Sequence, residues 1–126
     1  MMRAMLVLVL LLGFGCALRP PAQLYSPQSQ RAVVEAWSEG FNGRSMSALR
    51  SLVHPLKKGE FDASKARIQH RFGTWRLKSY LFGDKVRVND GFLGQRVQLH
   101  FHDGSQIVVR EQLVVSSEGR WWMWSF

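Results

Sequence analysis

One cysteine, Cys16, stands in a chain of 126 residues. An intrachain disulfide is excluded, and so is any metal site built from several thiolates. Acidic residues are scarce, with nine against 17 lysines and arginines, for a formal net charge of +8. Long apolar runs are missing too. The uncharged stretch Ala4–Leu18 covers 15 residues, short of the roughly 20 that a spanning helix needs. The chain has no internal repeat, no Ser/His/Asp grouping at a recognisable spacing and no calcium loop. Gly91-Phe92-Leu93-Gly94 joins two strand patterns and opens no helix, so it is no phosphate cradle. Neither a catalytic motif nor a cofactor motif emerges.

The first sixteen residues carry the strongest pattern present. Arg3 precedes the apolar run Met5 to Leu12, and Gly13-Phe14-Gly15-Cys16 follows. A charged start, a short apolar segment and small residues before a cut are the layout of a secretory signal. Arg19-Pro20-Pro21 stops any helix beyond it. Gly13 to Cys16 resembles the lipobox of bacterial lipoproteins, with Gly15 and Cys16 on the pattern and Gly13 and Phe14 off it. That resemblance implies cleavage before Cys16 and acylation of its thiol. The alternatives are an ordinary signal with a chance cysteine, or an uncleaved anchor. Two or more acyl chains hold a protein stably to a bilayer, which sets the expected location on the periplasmic side of a bacterial membrane. The expected organisation is a signal over 1–15, a lipidated tether over 16–25 and one domain over 26–126. Without disulfides that domain rests on its apolar core, and the apolar fraction of 46% is ordinary for one.

Charge outside the signal is scattered. Lys57, Lys58, Lys65, Arg67, Arg71, Arg76, Lys78, Lys85, Arg87, Arg96, Arg110 and Arg120 read as a solvated surface. Attraction to anionic headgroups is the functional alternative. Nucleic acid is not an expected partner of an exported chain.

Ser26-Pro27 suits a helix start, and Val33, Val34, Trp37 and Phe41 recur every three to four residues as one apolar stripe. Asn42-Gly43 ends that helix with a residue tolerant of positive φ. A second short helix is capped by Ser45 or Ser47, contains Leu49 and Leu52, and closes at His54-Pro55. Residues 56–61 read as a basic loop. Asp62 caps a third helix running to about Arg71, with Gly73 as its end. From Thr74 the apolar period falls from about 3.6 to 2. Strands are expected over 74–82, 85–89, 96–101, 106–115 and 120–126, with turns at Gly83-Asp84, Asp90-Gly91, Asp103-Gly104 and 116–119. A three-residue loop at His102 to Gly104 sets Leu99 opposite Ile107 and keeps one face apolar. That face holds Val97, Leu99, Phe101, Ile107, Val109, Glu111, Leu113 and Val115, joined by Trp122, Trp124 and Phe126.

Helices followed by an antiparallel meander define an α+β fold. The stretch Val33 to Gly43, then Leu49, Leu52 and His54-Pro55, and the closing Gly119-Arg120-Trp121-Trp122-Met123-Trp124 resemble the NTF2-like superfamily. The resemblance implies N-terminal helices packed on a curved sheet that forms a cone. Members include isomerases, dehydratases and non-enzymatic binding or scaffold proteins. No catalytic motif of theirs matches residue by residue, so the leading expectation is a non-enzymatic module.

That module would bind a small apolar ligand or a protein partner. The expected pocket is lined by Trp37, Phe41, Leu99, Ile107, Val109, Trp122 and Trp124, with Glu111 as its polar point. A carboxylate desolvated there would have a raised pKa and could serve a hydratase or isomerase as base. Alternatively Glu111 faces water or pairs with Arg96. His100 and His102 share a strand face, but two imidazoles do not complete a zinc site, and surface or turn roles fit them as well. Trp121 and Met123 point outward in this register, as an interface patch or simple cover, which leaves a dimeric scaffold as a third reading.

Overall fold

The structure, a computed structural model, describes residues 27–88 and 91–126. The expected signal, the expected tether and Cys16 lie outside these residues. Helix α1 spans Gln30–Asn42, with Ser29 as its cap accepting from the Ala32 amide at 3.1 Å. The start expected at Ser26-Pro27 is therefore three residues early. Pro27 instead offers its carbonyl to the Trp121 amide. Val33, Val34, Trp37 and Phe41 are all buried, as the stripe requires. Helix α2, Met46–Leu52, is capped by Ser45. Gly40 lets the two helices close up, since a Cβ there would sit 2.9 Å from the Leu49 Cδ2.

The expected basic loop over 56–61 is helical instead. A 3-10 turn at Pro55–Lys57 leads into α3, Lys58–Ala63. Its one large apolar side chain, Phe61, is buried and stacks edge-on against Trp37 and Phe126. One aromatic anchor is enough to hold a turn against the core, and no sequence period records that. Asp62 lies inside α3 rather than capping the next helix, and it holds Arg50 through two hydrogen bonds. Helix α4 follows over Lys65–Phe72, ending at Gly73.

Four strands form one antiparallel sheet in the order β1-β2-β3-β4: Arg76–Arg87, Leu93–Asp103, Gln106–Ser117 and Arg120–Met123. The fold is α+β, as expected. Gly83-Asp84 does not turn the chain. It is a bulge between Phe82 and Lys85 within β1, and a second irregularity falls between Leu77 and Ser79. Bulges bend a strand without ending it.

The β2–β3 register differs from the expected one. The turn is Gly104-Ser105, with Gly104 at φ 62°, the residue a type II′ turn wants first. Asp103 then faces Gln106, Leu99 faces Arg110 and Val97 faces Gln112. The helix-side face of β3 is Val108, Arg110, Gln112 and Val114. Ile107, Val109, Glu111, Leu113 and Val115 occupy the other face. The slip exchanges the faces of β3, as any odd shift must. Glu118-Gly119 makes the last hairpin turn, both at positive φ, and Val115 faces Trp122 while Val114 faces Met123.

Two apolar clusters result. The main one lies between the helices and the sheet, and includes Val33, Trp37, Phe41, Leu49, Phe61, Ile68, Leu77, Val97, Leu99, Phe101, Val114 and Met123. The smaller one lies on the outer face at the β3–β4 end. It contains Val115, Trp122 and Trp124, packed by Val88, Phe92 and Leu113. Trp122 and Trp124 therefore do not join Leu99 in one cone, and Met123 points into the main core instead of outward.

Candidate functional site

The expected pocket residues are not brought together. Trp37, Phe41 and Leu99 are packed in the main core. Trp122 and Trp124 belong to the outer cluster. Ile107 and Val109 are 62% and 53% exposed on the outer face. Glu111 stands in the same open face, its side chain half-exposed, with its carboxylate 2.7 Å from Arg96. It is solvated and paired, not desolvated among aromatics. The three-residue shift in register, from Leu99 opposite Ile107 to Leu99 opposite Arg110, is odd and so moves β3's expected pocket residues to the outer face.

The outer face of β1–β3 leaves large aliphatic side chains exposed. Leu81, 60% exposed, lies across Gln98 from Glu111. Ser79 shares a 3.3 Å hydrogen bond with His100 Nδ1, and His100 in turn faces Val109. His102 faces Ile107. Among the described residues, no group of three or more His, Cys, Asp or Glu is arranged to hold a metal ion. The outward aromatic patch expected of Trp121 and Met123 is absent from this face: Trp121 packs on the main core and Met123 is fully buried.

His54, which the sequence marked only as a helix stop, is a hub of the outer cluster. Its ring is 5% exposed and lies 5.3–5.6 Å from the rings of Phe92, Trp122 and Trp124. Nδ1 accepts from the Leu56 amide at 3.1 Å, and the His54 amide donates to the Met123 carbonyl. Burial pushes its pKa below the usual value, against a weaker opposing pull from Glu118. Lys57 and Arg120 cover the outer tryptophans, with Nζ 4.7 Å above Trp124 and Cζ 3.6 Å above Trp122.

A cleft of about 330 Å³ opens at the other end of α1. Its walls come from the end of α1, the end of α4, the start of β1 and the β2–β3 turn. Phe41, Phe72 and Trp75 supply aromatic surface, and Arg44, Arg76, Lys78 and His102 line it as well. Asn42 fixes its frame by donating to the Leu77 carbonyl and accepting from the Leu77 amide, both at 3.0 Å. Arg44 holds a left-handed backbone with φ 57°, a conformation that costs a non-glycine residue about 1–2 kcal/mol. Just outside, Arg71 stacks 5.0 Å over Trp75. Burial, together with Arg110 and Arg67, lowers its pKa to about 10. No sequence spacing announced this cleft, because its residues come from four separate elements.

These features define a small α+β domain with an open sheet face, a buried histidine and a basic cleft. Comparison with family models, curated proteins and solved structures finds no match to this chain.

Proposed function

We propose that the chain is a non-enzymatic binding module of the bacterial envelope, tethered through an acylated Cys16, that pairs with a second copy of itself through the outer face of its sheet. The observation that carries this reading is the set of large aliphatic side chains left open there: Leu81, Ile107 and Val109, each more than half exposed. Exposed apolar surface of this kind marks association sites. On this face alone electrostatics does not oppose a second copy. Two molecules that begin at Cys16, each without Arg3 and so one charge below the +8 of the full chain, repel over most of their surface. On this face the nearest opposite charges, Arg96 and Glu111, neutralise each other at 2.7 Å. A two-fold interface is self-complementary, so one mixed patch can serve both sides.

The tether reading is supported by the order of Arg3, the apolar run and Gly15-Cys16. The NTF2-like reading is supported by helices packed on one face of an antiparallel meander whose first strand carries two bulges.

The test is the native mass of the full chain purified from its own membranes in mild detergent. The expected species is a dimer of chains that begin at Cys16 and carry acyl mass. The I107D/V109D double variant should give single-copy mass at an unchanged thermal midpoint, since exposed substitutions usually cost no more than about 0.5 kcal/mol each. A wild-type chain of single-copy mass ends the pairing reading, and a chain without acyl mass ends the tether.

A further inference from the structure

We propose that the cleft at the C-terminal end of α1 binds a small soluble phosphomonoester whose organic body is flat and apolar. Arg44, Arg76, Lys78 and His102 line one opening, which gathers two guanidinium-bearing residues, a lysine and an imidazole-bearing residue around it. Among the described residues none of these four has an ion-pair partner, and no carboxylate lines the cleft. The acids nearest in the chain, Glu39 and Asp103, are not among its walls. Three cationic residues around one opening with no acidic residue in its lining match a dianion better than a monoanion, and planar guanidinium forks suit phosphate oxygens. The edges of Phe72 and Trp75 give an apolar body a surface to lie on.

The volume of about 330 Å³ falls at the small end of ligand sites. It suits one small molecule and no polymer. The frame is preorganised. Asn42 clamps the backbone of Leu77, the residue between Arg76 and Lys78, with two hydrogen bonds. The strained backbone at Arg44 is the kind that binding sites retain. The field behind the cleft has the same sign. Burial lowers the pKa of Arg71 and of Arg110, Arg67 adds to both shifts and Arg110 adds to that of Arg71, and Arg110 Nε is buried without a partner.

The choice of a soluble anion over a lipid headgroup rests on the tether proposed above. Pro27, where the described chain begins, sits beside β4 through its bond to Trp121. The 13 residues of α1 then place the cleft roughly 20 Å away at 1.5 Å per residue.

The test uses the full chain, isotope-labelled, in neutral phosphatidylcholine nanodiscs, titrated with phenyl phosphate and read by amide chemical shifts. Saturable shifts are expected at Arg44, at Gly73 to Arg76 and at Gly104. R44Q/R76Q should weaken binding at least about tenfold at an unchanged thermal midpoint, while R76K keeps most of it. Shifts that do not saturate, that map elsewhere, or that survive R44Q/R76Q unchanged would overturn the proposal. So would a response seen only when phosphatidylglycerol is added to the discs, because the ligand would then be a headgroup. Loss of the tether reading shows as missing acyl mass and leaves the phenyl phosphate shifts as an independent readout.

Discussion

His54 joins three jobs in one ring: it caps the 3-10 turn through Nδ1, fills the outer cluster and ties its own backbone to Met123. Because burial lowers its folded pKa, the unfolded chain binds more protons below the ordinary value of 6.5. Its contribution is whole above that pH and is lost as pH falls through the window beneath it. His54→Asn keeps an acceptor for the Leu56 amide and removes the titration. The thermal midpoint of the wild type should therefore fall more than that of H54N between about pH 7.5 and pH 5, and equal slopes would exclude His54 as the source. Glu118 makes a second residue-scale case. It occupies the first central position of a two-residue hairpin turn at φ 56°, where asparagine fits with less strain. Glu118→Asn should raise unfolding free energy by about 1 kcal/mol in denaturant titration.

At the scale of elements, Asn42 does for β1 what a neighbouring strand would do. It presents an amide whose oxygen and nitrogen both pair with the Leu77 backbone. Asn42→Ala should cost about 1–3 kcal/mol, and Asn42→Asp, which sets a carboxylate oxygen against the Leu77 carbonyl, should cost at least as much. Hydrogen exchange at Leu77 would quicken in both. Elements with strong periods were legible in the chain. The stripe from Val33 to Phe41 gave α1, and alternation through Val97, Leu99 and Phe101 gave the buried face of β2. What alternation cannot fix is how two strands slide past each other. Both faces of β3 hold apolar side chains, Val108 and Val114 on one, Ile107, Val109 and Val115 on the other. Choosing the more apolar face placed Glu111 inside, whereas the Gly104-Ser105 turn seats Arg110 and Gln112 there. Trp122 and Trp124 were rightly placed with Leu113 and Val115, yet that face has its own small core. The cleft was illegible for a different reason: Arg44, Arg76 and His102 meet only after the chain has folded.

At the scale of the whole molecule, positive charge is spread and apolar surface is divided. One cluster joins helices to sheet, and the other is closed by His54 and Phe92 across the last strand. No helix among the described residues is long and apolar enough to cross a membrane. The sheet runs in sequence order with hairpin neighbours throughout, so most strand pairing is local and closes cheaply. Three of the longest-range closures gather at one place: Val53 bridges Met123, Pro27 receives Trp121, and Phe61 meets Phe126.

The stretch 120–126 thus completes both clusters, sending Trp121, Met123 and Phe126 to one and Trp122 and Trp124 to the other. No nascent chain that stops before Arg120 holds either cluster whole. While the ribosome is still making the sheet, hairpins can form and dissolve, but the domain cannot lock. For the export proposed above, a polypeptide that stays pliable until its final strand emerges is one that a narrow translocation channel can still thread.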